Sequence, residues 1–345
     1  MDTDREGTRP EKSERDRISF QAYLEGVKPK IDARIIHYIA KGSKEVPFDH
    51  HFETTLRHGK RMRAGLLMLI QETFGQEAGR EMALDLASAV EIAHAASLIV
   101  DDMLDDDDTR HDMPALHLTT GYKVAILGTL GLLSYPYEIV SRYGEECVHG
   151  LARTNRAMVQ GATMELKGVP SFGVGQSYDI IIENKTGVLF GLAARFGAVA
   201  AGCPSETTEQ CSEFGLLTGK VMQIADDIAD LGSLLNGKAT GIYGSEAILL
   251  RRCLSQTGEG AEDLDHDIQE HLRPIGTARR KDIEDILNRY LESAIQDAVD
   301  AAQRLRLLRV EDRGDRDIPE LTGIPTEIAA MVLNQGKVRA SHGPC

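Results

Sequence analysis

Between Gly79 and Asp106 the chain reads GREMALDLASAVEIAHAASLIVDDMLDD, and this stretch most narrows its possible folds. Leu84, Ala87 and Val90, then Ile92, Ala96 and Ile99, recur at three- and four-residue steps, the spacing of one helix face. The same period predicts helices over about 47–74, 119–142, 145–167, 176–201, 206–232, 244–256, 263–273, 279–309 and 322–336. Gly75, Gly144, Gly168, Gly202 and Gly258 fall where those helices should stop. Alternating strand patterns with Asn-Gly or Asp-Gly turns are missing. A length of 345 residues favours about two domains, but no composition shift marks a linker between residues 18 and 300. The expectation is all-α: one large bundle of long helices over 18–310, with a partly helical C-terminal extension over 311–345. Residues 1–17 hold eleven charged residues and no apolar one beyond Met1. Such a segment buries too little to offset its ordering entropy and is expected to be a disordered arm.

Charge and composition remove several classes of function. Lys plus Arg is 39 and Asp plus Glu is 54, a net charge of −15. That balance opposes binding to nucleic acid or to anionic lipid. With 5% aromatics and no Trp, base-stacking platforms are not expected. The five cysteines form no C-x-x-C pair, so free thiols in a reducing compartment are expected rather than a zinc site. The N-terminus lacks a signal-peptide core, and no uninterrupted apolar run reaches the roughly 20 residues of a membrane span. A cytoplasmic protein is expected.

The chemistry concentrates at two acidic clusters. Asp101-Asp102-Met103-Leu104-Asp105 emerges directly from the buried-looking HAASLIV stretch. Asp101 and Asp105, four apart, share a helix face, where like charges destabilise unless a cation lies between them. Asp226-Asp227-Ile228-Ala229-Asp230 repeats the spacing, again after apolar helix and one turn beyond Gln223. Most acidic runs are solvated surface, but two copies at core boundaries suit a hard cation. Mg²⁺ binds a few carboxylates, keeps some waters and bridges to phosphate, so the pair points to a magnesium–diphosphate site. Cations to hold the phosphates are present at Lys60-Arg61-Met62-Arg63 and at Lys185-Thr186, with Arg110, Lys220 and Lys238 as further candidates. Taken singly, each is more often a surface cation. No G-x-S-x-G or H-E-x-x-H arrangement is found, so covalent catalysis is not indicated.

GKRMR at 59–63, HAASLIVDDMLDDDDTR at 94–110, ENKTGVLF at 183–190 and GKVMQIADDIAD at 219–230 together resemble the trans-isoprenyl diphosphate synthases, the polyprenyl synthetase family. They occur in that family's order and spacing. The resemblance implies an isoprenoid synthase bundle around a central cavity, usually a homodimer, that condenses isopentenyl diphosphate with an allylic diphosphate. By that resemblance Asp101, Asp105 and Asp226 are the main ligands of about three Mg²⁺, with Asp102, Asp227 and Asp230 in or near the shell. It puts Arg110, Lys185 and Lys238 on the allylic diphosphate, with Thr186 and Gln223 lining its site. Lys60, Arg63 and His94 would hold isopentenyl diphosphate, with Arg61 nearby; apart from the resemblance, His94 reads as a core histidine.

Three features depart from the family pattern. His111 stands where an arginine for isopentenyl diphosphate is usual, which implies weaker or pH-dependent binding. Ala64 replaces a proline. The segment after Asp230 is short, which bears on Lys238. Ala93, Ala96 and Ser97, all small, lie before Asp101 where this family caps short products with aromatics, so a C20 or longer product is implied, geranylgeranyl diphosphate first. Tyr135, Tyr137 or Phe172 would be lower stops. Competing readings are a class I terpene cyclase, a non-catalytic subunit of a heteromeric synthase, and a helical scaffold with acidic patches.

Overall fold

The computed structural model describes residues 18–42, 52, 55–56, 59–110, 113–167, 174–236, 244–256, 277–308 and 318–341. Residues 1–17, His111, Phe172, Lys238 and the helix expected over 263–273 lie outside them. The helices are α1 (Phe20–Gly42), α2 (Met62–Phe74), α3 (Arg80–Leu104), α4 (Leu116–Thr120), α5 (Tyr122–Leu132), α6 (Ser134–Val140) and α7 (Glu145–Lys167). After these come α8 (Val174–Ile182), α9 (Val188–Ala200), α10 (Ser205–Leu235), α11 (Ser245–Gln256), α12 (Thr277–Leu307) and α13 (Ile324–Ser341).

The centre of the bundle is made by α2, α3, α9 and α10. In α2 every residue but Glu72 is buried, as expected of a helix with no polar face. Helix α9 packs between α2 and α10, and glycine makes that approach possible. A Cβ on Gly197 would stand 2.4 Å from the Leu67 carbonyl oxygen, and one on Gly215 would stand 2.5 Å from that of Phe190. Helix α9 stops at Gly202, whose φ of +75° suits the left-handed cap; the Cys203 N–H reaches back to the Ala198 carbonyl at 3.0 Å. This places the antiparallel α10 directly against α9, and with it the second acidic cluster.

The structure departs from the sequence reading at the 119–142 region and after the first acidic cluster. The helix read over 119–142 is three pieces: Gly121, at φ +82°, separates α4 from α5, and α6 restarts at Ser134 with Pro136 in its first turn, where the missing N–H costs nothing. Where no strand was expected, Thr109–Arg110 pairs antiparallel with Met113–Pro114 in a two-residue ribbon after the first acidic cluster. Two stretches are long and apolar enough to cross a membrane by length and composition alone, although neither is an uninterrupted apolar run. Glu77–Leu104 is a core segment, 78% buried; Tyr122–Tyr143 is only 33% buried, with Leu127 and Leu130 among its exposed residues.

The C-terminal extension closes the start of α1. Helix α13 packs on α10 and α1. Its Glu327 carboxylate accepts the Phe20 N–H at 2.6 Å and also the Gln21 N–H, while Ser19 Oγ accepts the Ala22 N–H at 3.2 Å. Three of the N–H groups that a helix start leaves unpaired are thereby satisfied, two of them by a residue some 300 positions away. Glu327→Ala is expected to cost about 1–2 kcal/mol, read as a lower urea midpoint at unchanged slope.

Candidate active site

A cleft open to solvent lies between the first acidic helix and α10. Eleven of the residues singled out in the sequence line it: Lys60, Arg61, Arg63, His94, Ser97, Asp101, Arg110, Lys185, Thr186, Gln223 and Asp226. Asp102, Asp227, Ala93 and Ala96 are buried beside it in the protein, Asp105 and Asp230 are exposed, and His111 and Lys238 lie outside the described residues.

The first acidic cluster divides its work. Helix α3 ends as the Asp105 N–H closes on the Asp101 carbonyl at 2.9 Å, leaving Asp101 on the last turn inside the cleft. Burial pushes the Asp101 carboxyl up to about 6; Lys185 opposes this, and Asp105 and Glu165 reinforce it. Asp105, though largely exposed, is raised by partial burial first and then by Glu165 and Asp107, with Lys185 and Arg110 opposing. Asp102, 3% exposed, is taken up by Arg110, whose Nε donates to it at 2.7 Å; a second guanidinium nitrogen reaches Asp102 and, at 3.1 Å, Asp107. Asp102 thus anchors Arg110 at the cleft wall instead of facing the cleft itself.

Lys185 and Thr186 reach the cleft through a break in helical register. Residues Glu183–Gly187 form a π-turn between α8 and α9. Such a turn inserts one residue per helical turn and swings side chains onto a new face. Gly161 of α7 lies against it so closely that a Cβ would meet the Lys185 backbone nitrogen at 2.7 Å. The Lys185 ammonium pairs with Glu165 at 2.6 Å. Burial works against its charge, but Glu165, Asp101 and Asp105 outweigh burial and push it up to about 12. Glu165 had no sequence signal; only the packing of α7 brings it here.

In the second cluster, Asp226 lines the cleft while Asp227, 2% exposed, points into the protein. It accepts from Tyr178 at 2.6 Å, Gln223 at 2.9 Å and Ser245 at 3.0 Å. Burial nevertheless pushes its carboxyl up to about 8, against the pull of the Tyr178 and Gln223 bonds.

A cationic corner occupies the other side. Arg63 is buried and stacks on the Phe190 ring, 4.7 Å from its centre. Its Nη1 lies 3.0 Å from His94 Nε2, and because a guanidinium only donates, the histidine nitrogen is the acceptor in this contact. Burial lowers the Arg63 pKa to about 10, and its Nε is buried without an acceptor. Lys60 is exposed at the cleft edge. Arg61 differs from both. With φ +58° it turns inward, donating to Asp32 at 2.7 Å, to Glu91 at 3.3 Å and to the Leu56 carbonyl. Glu91 also accepts the Ala64 N–H at 3.1 Å, so the Arg61–Glu91 pair staples the start of α2 and sets Lys60 and Arg63 around it. The signal for Glu91 was its place three residues before His94 on one helix face.

The donor set suits divalent cations. Asp101 and Asp226 line one cleft from two helices, Asp105 adds charge one turn away, and burial disfavours the charged forms of Asp101 and Asp105, a cost that a hard oxygen-seeking cation offsets.

Comparison with known proteins agrees with this architecture. The family model for polyprenyl synthetase matches residues 46–240. The chain is 36% identical over 180 residues to a geranylgeranyl diphosphate synthase of Methanosarcina mazei, covering 50% of this chain and 55% of the relative. A geranylfarnesyl diphosphate synthase of the same organism is 34% identical over 181 residues, covering 52% and 60%. The match therefore spans less than two thirds of these relatives' length. In fold, the chain is similar to a crystal structure of polyprenyl synthase from Caulobacter crescentus complexed with calcium and isoprenyl diphosphate, at a TM-score of 0.60 and 22% identity, covering 90% of this chain and 94% of that one. With more than half of its residues matched by the family model and its motifs gathered around one cleft, the chain belongs to the polyprenyl synthetase family.

Proposed function

We propose that the protein is a trans-prenyltransferase that condenses isopentenyl diphosphate with an allylic diphosphate to a C20 or longer polyprenyl diphosphate, geranylgeranyl diphosphate being the first candidate. The observation that carries this reading is the pairing of an acidic, lysine-bearing wall with a separate cationic corner in one cleft. One wall suits a metal-bound diphosphate, and Lys60, Arg63 and His94 suit a second diphosphate beside it. A class I cyclase has no use for that second site.

In this reading Asp101, Asp105 and Asp226 hold Mg²⁺, which when bound neutralises the allylic diphosphate and makes it a leaving group. Lys185 and Arg110 pair with the same diphosphate, and Thr186 and Gln223 orient it. The apolar side chains of Leu98, Met158, Leu189 and Met222 line the cleft and keep water from the allylic cation left when the C–O bond breaks. Lys60, Arg63 and His94 align the isopentenyl double bond for attack on C1. The departing diphosphate takes up the proton that is lost. Arg63→Ala is expected to raise the KM for isopentenyl diphosphate roughly tenfold or more and the allylic KM far less, because a desolvated charge-assisted contact is worth about 1.5–3 kcal/mol. Equal shifts in steady-state kinetics would reverse the assignment of the two phosphate sites.

A second copy of the chain is the partner proposed for the apolar outer face of α5, where Val124, Leu127 and Leu130 are exposed. Sedimentation at micromolar concentration tests this: a monomer refutes it. The catalytic reading is tested by incubating the protein with Mg²⁺, isopentenyl diphosphate and each allylic diphosphate, then sizing the products. Turnover without isopentenyl diphosphate would favour a cyclase, and no turnover with any primer would favour a non-catalytic subunit.

A further inference from the structure

Asp227 and Tyr178 have no place in the chemistry above, yet they end a chain of hydrogen bonds that begins in the cleft. The Thr186 hydroxyl donates to Gln223 Oε1 at 2.6 Å. Gln223 Nε2 donates to Asp227 Oδ1 at 2.9 Å, and the Tyr178 hydroxyl donates to Asp227 Oδ2 at 2.6 Å. Ser245 adds a third donor at Oδ1, 3.0 Å away. Tyr178 is completely buried on α8, Asp227 lies on α10, Ser245 begins α11, and Thr186 belongs to the π-turn. Three elements thus converge on one carboxylate, and the π-turn reaches it through Gln223.

In the structure the edge of Gln223 that faces Asp227 is its NH₂ group and the edge that faces Thr186 is its carbonyl. The Tyr178 and Ser245 hydroxyls can accept as well as donate, so they can take up a proton on Asp227 and this orientation holds whether or not the carboxyl is ionised. One Gln223 N–H is used on Asp227. The other stays with the side chain that lines the cleft. Were the amide turned over, its carbonyl oxygen would replace that N–H and repel an anion in the cleft. An amide has nearly the same shape in both orientations, so only its partners decide between them.

We propose that Tyr178 and Asp227 are a positioning pair that locks the Gln223 amide with its N–H side available to the allylic diphosphate. The proposal rests on the prenyltransferase reading for the identity of the anion. It gives Asp227 a different task from its neighbour Asp226, and it assigns a task to Tyr178, which touches neither substrate nor cleft.

The test is a double-mutant cycle with two readouts. Tyr178→Phe removes one hydroxyl and leaves the ring. It is expected to raise the allylic KM roughly fivefold, the worth of one ordinary hydrogen bond, with kcat and the KM for isopentenyl diphosphate within about twofold of wild type. Calorimetric binding of inorganic diphosphate in saturating Mg²⁺ should weaken by the same factor. In a Gln223→Leu background there is no amide to orient, so adding Tyr178→Phe should change neither readout. An unchanged allylic KM in the single variant, or the same fivefold loss in both backgrounds, overturns the pair. If Tyr178→Phe does not fold, Ser245→Ala removes another donor from the same carboxylate and carries the same cycle, with an expected loss of about two- to threefold. Wild-type protein that neither turns over an allylic diphosphate nor binds inorganic diphosphate would refute the prenyltransferase reading, and the proposal with it.

Discussion

Asp101→Ala and Asp226→Ala are each expected to lower kcat by at least about a thousandfold while leaving the helical far-ultraviolet spectrum intact. Removing an electrostatic group aimed at charge that develops during reaction costs about 10²–10³ in rate for a single neutral donor, and a carboxylate that holds a divalent cation does more. The stability of the metal-free protein should move the other way for Asp101→Asn. Burial pushes the Asp101 carboxyl up to about 6 in the folded protein from an ordinary value of 3.8. A raised carboxylate pKa means that the folded state holds the proton more tightly, so this contribution is complete below pH 3.8 and is lost as the pH rises through about 6. At pH 7 the wild type carries that penalty and Asp101→Asn does not, so the variant should melt at the same or a higher temperature in chelator. Wild-type rates in either alanine variant would remove Asp101 or Asp226 from the chemistry, and a collapsed fold would make the cluster structural.

The second large effect is on product length. Ser97 lines the cleft one turn before Asp101, and its hydroxyl is folded back on the His94 carbonyl at 2.8 Å. Ala96, in contrast, is fully buried among core side chains and does not line the cleft. A phenyl ring at Ser97 would enter the space beside the reacting carbons, and a close-packed wall does not absorb that volume. Ser97→Phe is therefore expected to move the product from C20 or longer towards C15 with the first condensation largely preserved. Ala96→Phe, pressed into a filled core, should cost stability by about 1–3 kcal/mol in addition to any change in length. Chromatography of the dephosphorylated products and a thermal melt separate the two. Unchanged chain length in a folded, active Ser97→Phe protein would mean that the product runs past another wall.

Helix period, small-residue composition and the spacing of two acidic clusters were all in the sequence, because each depends on residues three or four apart on one helix. That is why α3 and α10, with Asp101 and Asp226 at core boundaries, were legible before any coordinates. The break of the 119–142 region and the π-turn at Lys185 were less so: both depend on how a helix meets its neighbours, and Gly161 meets the Lys185 backbone from another helix entirely. Adjacent aspartates were alike in sequence and became different in space. Asp102 went to Arg110, and Asp227 went to Tyr178, Gln223 and Ser245, because successive residues of a helix point about 100° apart and only one of each pair can face the cleft. Arg61, Glu91 and Glu165 were decided the same way. Which of several like charges meets substrate and which holds the scaffold is set by burial and by long-range partners, and those exist only once the helices have packed.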